Sequence, residues 1–417
     1  MMVERAWRPV LTGLEAEAAR GVALKIIEAL TPFVEDRSLE AGLQLGSAGL
    51  AVTLAEVARL ELADTTDVAS AALNVAAEAV SEQALGAGFQ SGLAGIGWAV
   101  QHVTGDGDAC EEVDALILEH VLVTARGDAQ LFEANGGLVG FGIYGLERMP
   151  SPAGRAIVEA VLERLPDNAV ESAEGMGWRT PAVYLPEAAR KHAPEGHFNL
   201  GLPHGTPGVL AFLAAVIEAG LGGGAAQNMA REGARWLFAQ ANSGGGRSAF
   251  PDLIRAGTPS WGTGHYGWCY GSPAVATALV TVGQALGDAG ILEAGRKVAI
   301  DAAQLRPPTP DAILCHGTGG LQLIFQRLWQ RTDAPACEDA ARYWARATLA
   351  LQGPAGEGLA GFTSARAWER PEAPSFVDPS LFVGASGTAL TLLAAVGDQP
   401  PDWDRALLLS ARTAAEL

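Results

Sequence analysis

Cysteines, basic residues and long apolar runs are all scarce in this sequence of 417 residues, and each shortage removes a class of protein. Four cysteines, Cys110, Cys269, Cys315 and Cys337, are too few and too scattered for the disulfide framework of a small secreted domain. The 28 Lys and Arg are outnumbered by 47 Asp and Glu, and the net charge of −19 repels phosphate backbones. With no basic patch visible along the chain, nucleic acid is excluded as a direct partner. The same acidic field suits a basic peptide, and it suits simple solubility equally well.

No apolar run reaches the roughly 18 residues of a membrane span. The first residues, MMVERAWRPVLTGLEAEAAR, lack the apolar stretch and cleavage site of a secretory signal, so a cytoplasmic location is expected. The local CxxC and HExxH spacings are missing too. Any metal site must therefore be assembled from distant parts of the chain.

Glycine is abundant, with 52 residues and no Gly-X-Y period, and 49% hydrophobic residues supply ample core. The glycines mark an internal repeat. A Gly-rich turn followed by an apolar run begins at Gly46, Gly92, Gly137, Gly205, Gly271, Gly317 and Gly384. Six of the seven turns read G-x-x-G, with Ala274 in place of the second glycine in the fifth. Intervals of 46, 45, 68, 66, 46 and 67 residues allow two helices per repeat, with inserted loops in the longer ones.

Between the turns lie stretches such as DTTDVASAALNVAAEAV, apolar every three or four positions, as amphipathic helices are. The helices after the turns are apolar on more of their circumference and belong inside. This pattern predicts an all-α protein, an α/α toroid with seven inner and seven outer helices, as one domain over residues 1–417. Inserted loops are expected near 165–200, 240–265 and 352–380. An open solenoid would need polar faces on its terminal repeats, yet the seventh (SLFVGASGTALTLLAAV) is as apolar as the middle ones. Glycine suits the turns through its tolerance of positive φ and its lack of a Cβ. The inner helix N-termini should gather at one end of the ring, where their N–H groups favour anions such as thiolates.

The two positions before each first glycine are then equivalent places on the ring. They hold Gln44 and Leu45, Gln90 and Ser91, Asn135 and Gly136 in the first three repeats, and Phe382 and Val383 in the seventh. Repeats four to six hold Pro203 and His204, Cys269 and Tyr270, and Cys315 and His316. Two thiols and an imidazole from neighbouring turns suit Zn2+, and three protein ligands leave its fourth position open, as in catalytic zinc sites. Cys269, Cys315 and His316 are therefore the expected metal ligands. His204 is a fourth ligand or a general acid/base beside them. Cys110 and Cys337 sit in acidic helical sequence and read as structural, His192 and His197 as surface residues, and His102 and His120 as helical residues without a partner.

The motifs LPHGTPG (202–208), WCYGSP (268–273) and LCHGTGG (314–320) resemble those of the LanC-type lanthipeptide cyclases along essentially the whole chain. The resemblance implies a seven-fold α/α toroid with a Cys-Cys-His zinc site. The implied activity is addition of peptide cysteine thiols to dehydroalanine or dehydrobutyrine, forming lanthionine and methyllanthionine thioethers. It also implies a dehydrated precursor peptide as substrate, a separate dehydratase as partner of a stand-alone cyclase, and an exporter. By family position His204 is the acid that protonates the enolate, with zinc-bound water as another source, and Tyr270 lies near the metal.

Two positions depart from the family pattern. Glu133, in FEANGGLVG, stands where the family carries Asp, and His265, in HYGWC, stands where it often carries Arg. These two, with His204 and Tyr270, are the expected acid/base residues. Two other functions remain open at this point: addition of glutathione or another thiol to dehydroamino acids in proteins, and a non-catalytic peptide-binding scaffold.

Overall fold

The computed structural model describes residues 6–123, 130–241, 248–255, 266–354, 356–364 and 377–417. Seven helices open at the Gly turns: α2 (Ser47–Arg59), α4 (Leu93–Thr104), α6 (Leu138–Glu147), α9 (Thr206–Glu218), α11 (Ser272–Leu286), α13 (Thr318–Thr332) and α15 (Ala385–Val396). Seven others alternate with them: α1 (Gly13–Leu30), α3 (Thr66–Glu82), α5 (Glu111–Val123), α7 (Pro152–Arg164), α10 (Gly223–Ala239), α12 (Ala289–Ala303) and α14 (Pro335–Ala350). A four-residue helix, α8 (Glu187–Arg190), completes the set among the described residues. None of these helices is long and apolar enough to cross a membrane.

The two classes differ as their sequences require. In α9 every residue from Thr206 to Val216 is buried, because TPGVLAFLAAV is small or apolar all round. In α10 only Ala226, Met229, Ala230, Gly233, Ala234, Trp236 and Leu237 are buried, a stripe at three- and four-residue spacing.

The chain forms two compact units. One combines Met1–Gly86, Ser91–Gly105 and Arg306–Trp403, and the other Ala87–Gln90, Asp106–Leu305 and Asp404–Leu417. In the first, α15 lies against α13, α2 and α1, so the seventh repeat packs on the first. The Phe382 N–H donates to the Gln44 carbonyl at 3.0 Å, joining their Gly turns, and all twelve residues of α15 are buried. In the second unit α9 packs between α6 and α11.

Each Gly-turn helix has the first glycine of its repeat as N-cap, but positive φ is not the reason in six of seven. Their φ values run from −145° to −89°, and Gly271 alone takes a positive one, at 89°. The requirement is steric. At Gly46, Gly137, Gly205 and Gly384 the loop before the helix folds back so that a carbonyl six residues upstream presses on the glycine, and at Gly317 the Ile313 carbonyl, four residues upstream, does so. A Cβ on Gly46 would stand 1.9 Å from the Glu40 oxygen, and one on Gly205 1.8 Å from the Asn199 oxygen. At the second glycine, Gly49, Gly208, Gly320 and Gly387 meet the oxygens of Leu43, Leu202, Leu314 and Leu381 at 2.1, 2.0, 1.8 and 2.1 Å.

The same fold-back occupies the helix ends. The N–H groups of Ser47, Leu138, Thr318 and Ala385 donate to the carbonyls of Glu40, Leu131, Asp311 and Asp378 at 2.8 to 3.0 Å. At these four turns the first helical N–H is thus satisfied by the loop itself, not left to attract an anion.

A small antiparallel sheet, which the helical pattern does not announce, lies within the first two of the three segments where inserted loops are expected, mostly in 165–200. Strands β1 (Ala169–Ser172), β2 (Gly175–Thr180), β3 (His197–Asn199) and β4 (Leu253–Ile254) pair in that order. One face rests on α10, with Phe198 5.0 Å from Trp236, ring centre to ring centre. On the other face Trp178 is fully buried, its indole N–H donating to the Leu165 carbonyl at 3.0 Å and its backbone N–H to Thr206 Oγ1 at 3.2 Å.

The steric reading gives a paired test. Replacing Gly208 with Ala should destabilise the protein by about 1–3 kcal/mol or more, as overpacking does. Replacing Gly21, in α1 with nothing within 4 Å of an added Cβ, should stabilise it by about 0.5–1 kcal/mol. Urea unfolding midpoints read both, and equal shifts would contradict the fold-back constraint.

Candidate metal centre and proton relay

The residues at the rim of the Gly turns are pinned by backbone bonds from turn to turn. The Cys269 carbonyl accepts from the Leu202 N–H at 3.0 Å, and the Cys315 N–H donates to the Phe382 carbonyl at 3.1 Å. The Pro203 carbonyl accepts from Ala134 at 2.9 Å, and the Asn135 carbonyl from Gln90 at 2.7 Å. The repeat alignment therefore has a physical counterpart, with equivalent positions bonded to one another.

From this rim the expected ligands converge. One ligand atom each from Cys269, Cys315 and His316 lie within 4.8 Å of one another, and this is the sole such group of His, Cys, Asp and Glu among the described residues. Cys269 is buried, with Cys315 and His316 half-buried. Tetrahedral zinc with Zn–S near 2.3 Å would hold two sulfurs about 3.8 Å apart. The three side chains need to close by only about an ångström, and two thiols with an imidazole form a donor set that zinc prefers. The residues fit the ion.

Asp311 lies at the base of the turn that carries Cys315 and His316. Burial pushes its carboxyl above the usual aspartate value, against the pull of His316 and of the Ile313 N–H. It belongs to a set the sequence reading missed, an Asp or Asn six residues before the Gly turn. Asn199 Oδ1 accepts from Gly201 N–H at 2.7 Å and Asp378 Oδ1 from Ser380 N–H at 2.9 Å, each clamping the start of its loop. The recurrence of Asn or Asp at that offset in repeats four, six and seven was the available signal.

His204 is bound to a carboxylate. Its Nδ1 lies 3.0 Å from Glu133 Oε2, and Glu133 Oε1 accepts the Gly136 N–H at 2.5 Å. The longer side chain of Glu133 therefore reaches the histidine while remaining buried. A carboxylate at Nδ1 requires that nitrogen to carry the proton, which leaves Nε2 as the working atom of the ring. Tyr270 stacks on His204, with centroids 6.2 Å apart and planes 28° apart, and its hydroxyl accepts from Asn199 Nδ2 at 2.9 Å. Asn199 thus joins two turns. His265 lies outside the described residues.

The other histidines and cysteines sort differently from the sequence reading in three cases. His197 is not a surface residue: it sits half-buried in β3, and burial, then the charges of Arg255 and His204, push its pKa down to about 4. His102 stacks on Trp98 at 4.5 Å and His120 meets Phe141 edge-on at 5.3 Å, so both have aromatic partners. His192 is exposed, as expected. Cys337 is a fully buried core residue. Cys110 is also fully buried, beside Tyr144, Asp114 and Arg148, and burial pushes its thiol up, away from reactivity.

Comparison with known proteins agrees with this geometry. Among solved structures, nisin cyclase superimposes with a TM-score of 0.73 at 17% identity, over 93% of this chain and 96% of that one. That likeness gives the fold, an α/α toroid whose Gly-turn helices form the inner layer. An inactive variant of an alpha-1,6-mannanase of Salegentibacter sp. HEL1_6 aligns over 94% of this chain and 98% of that one, at 11% identity and a TM-score of 0.45. Comparison with curated protein sequences gives no match. The family described as Lanthionine synthetase C-like protein matches residues 37–408, and the chain belongs to that family.

Proposed function

We propose that this protein is a zinc-dependent lanthipeptide cyclase, adding cysteine thiols of a dehydrated precursor peptide to dehydroalanine or dehydrobutyrine. The observation that carries the reading is the convergence of Cys269, Cys315 and His316, from turns 46 residues apart, into a three-ligand site. Membership of the lanthionine synthetase C-like family and the likeness to nisin cyclase support it. The reading places the protein in the cytoplasm, working with a separate dehydratase and an exporter.

Cys269, Cys315 and His316 would hold the ion and leave one position for the substrate sulfur. Zinc bound there supplies positive charge that lowers the pKa of that thiol, so that it reacts as a thiolate near neutral pH. A new S–Cβ bond forms as the C=C bond opens, and its electron pair moves to the acyl oxygen as an enolate. His204, protonated on both nitrogens with its Nδ1–H held by Glu133, delivers the Nε2 proton to Cα and completes the thioether, and the proton leaving the substrate thiol restores it through solvent. Tyr270 and Asn199 hold the histidine face in place.

Cyclisation leaves the peptide mass unchanged, so the assay is alkylation of the thiols that remain. Purified with one zinc per chain, the protein should consume the thiols of a dehydrated precursor far above the uncatalysed rate. Replacing Cys315 with Ala should remove both the metal and the activity. Persistence of thiols at the background rate across plausible precursors, with zinc bound, would falsify the reading.

The relay makes a separate prediction. Exchanging His204 for Asn should retain zinc but slow turnover by about 10²- to 10⁴-fold, the range of general acid catalysis. Changing Glu133 to Gln, which leaves a neutral partner at Nδ1, should have a smaller effect, about 10- to 100-fold. Equal zinc content with unchanged turnover in both variants would remove His204 from the proton path.

A further inference from the structure

His197 and Arg255 are absorbed by neither the metal centre nor the proton relay, yet the small sheet aims them at the same place. Side chains on one strand alternate between faces, so Trp178, Thr180, His197 and Asn199 share a face across β2 and β3, whose register pairs Thr180 with His197. That face looks towards the Gly turns, since the Asn199 side chain on it donates to the Tyr270 hydroxyl, beside His204. Strands β3 and β4 pair Phe198 with Ile254 and Asn199 with Leu253. Continuing that register by one residue sets Arg255 opposite His197, on the same face.

The electrostatics agree with the placement. His197 feels the charges of both Arg255 and His204, which puts the three side chains in one neighbourhood. Its Nδ1 is buried and, among the described residues, has no hydrogen-bond partner. The result is a permanent cation and a neutral imidazole on a rigid sheet, beside the histidine that faces the reaction, in a protein whose net charge is −19. Arginine stays charged and offers several fixed N–H donors to one oxygen.

We propose that Arg255 and His197 form an oxyanion subsite that binds the acyl oxygen of the dehydroamino acid during thiol addition. The subsite rests on the reaction proposed above and names what stabilises its enolate. As sulfur bonds to Cβ, the C=C pair shifts and the acyl oxygen gains negative charge. The Arg255 N–H groups and one His197 ring N–H donate to it, and the charge disappears when His204 protonates Cα. The proton released by the substrate thiol restores His204 through solvent, so the sum is thiol plus alkene to thioether. Donors fixed where charge develops, and worth little to the neutral ground state, act on turnover more than on substrate binding.

The test compares Arg255→Gln and Arg255→Lys with the unaltered zinc-loaded protein, using a dehydrated peptide in single-turnover alkylation assays and NMR titration of the histidine rings. For Arg255→Gln we expect turnover reduced by about 10²- to 10³-fold with zinc content unchanged and KM altered far less. Arg255→Lys, which keeps the charge and the fold but not the planar donor set, should regain part of that loss. Removing the neighbouring cation should also raise the His197 titration above about 4, towards its ordinary 6.5, a change that a purely structural role in activity would not require.

Turnover within threefold of the unaltered protein in both variants overturns the proposal, as does a His197 titration that stays in place. Should Arg255→Gln fail to fold, Arg255→Lys and His197→Gln carry the same comparison. If the unaltered protein consumes no thiols on any precursor, the proposed reaction itself has failed. The His197 titration then still decides whether Arg255 stands beside it.

Discussion

The contact on which the structure depends is that of a backbone carbonyl against a bare glycine Cα, at the turns of repeats one, three, four, six and seven. Where the Leu202, Leu314 and Leu381 oxygens press against Gly208, Gly320 and Gly387, no side chain fits, and the loop lies flat on the start of its helix. That flatness brings the two residues before each first glycine to a common level, and bonds such as Cys315 N–H to Phe382 carbonyl then fix neighbouring turns to each other. Cys269, Tyr270, Cys315, His316 and His204 all stand at those two positions. A site built this way needs no local sequence motif, because the repeat provides the spacing that CxxC or HExxH provides elsewhere.

The chemistry of this rim is divided among groups with different physical demands. Thiols and an imidazole suit a soft cation, and burial of Cys269 helps to exclude competing water. Glu133 orients the His204 ring and fixes its tautomer at Nδ1, while the Gly136 N–H holds the other oxygen of the carboxylate. The extra methylene of glutamate relative to aspartate is accommodated by this second bond: the carboxylate is anchored from behind and presented to His204 from a buried position. Tyr270 then limits the ring from its flat side.

What was legible in the sequence was whatever repeats. The seven glycines, the alternation of apolar and amphipathic helices, and the equivalence of Cys269, Cys315 and His204 to places in other repeats all follow from periodicity and chemical type. What does not repeat was hidden. The small sheet rests on cross-strand pairing between segments more than 50 residues apart, such as Asn199 with Leu253, and no helical pattern encodes that. His197 read as a surface residue because KHAPEGHFN is polar, whereas its position in β3 turns it inward beside Arg255. The role of glycine was legible in kind but not in cause. Positive φ and absence of a Cβ are indistinguishable in sequence, and only the backbone showed that φ is positive at Gly271 while a close backbone contact crowds the first glycine of five other turns.

That one exception is the turn that carries Cys269. The fifth turn has Ala274 for the second glycine, so its loop cannot fold back on the same path, and its first glycine, Gly271, takes φ 89° instead. Other contacts supply the missing constraint. The Gly267 N–H closes a tight turn onto the Tyr270 carbonyl at 3.0 Å, and the buried Trp268 indole donates to the Leu407 carbonyl at 2.9 Å. Cys269 sits between these anchors and is more deeply buried than Cys315, its counterpart on the regular sixth turn. A single alanine thus accompanies a different loop path at the fifth turn, and with it a deeper place for the Cys269 thiol than the regular sixth turn gives Cys315.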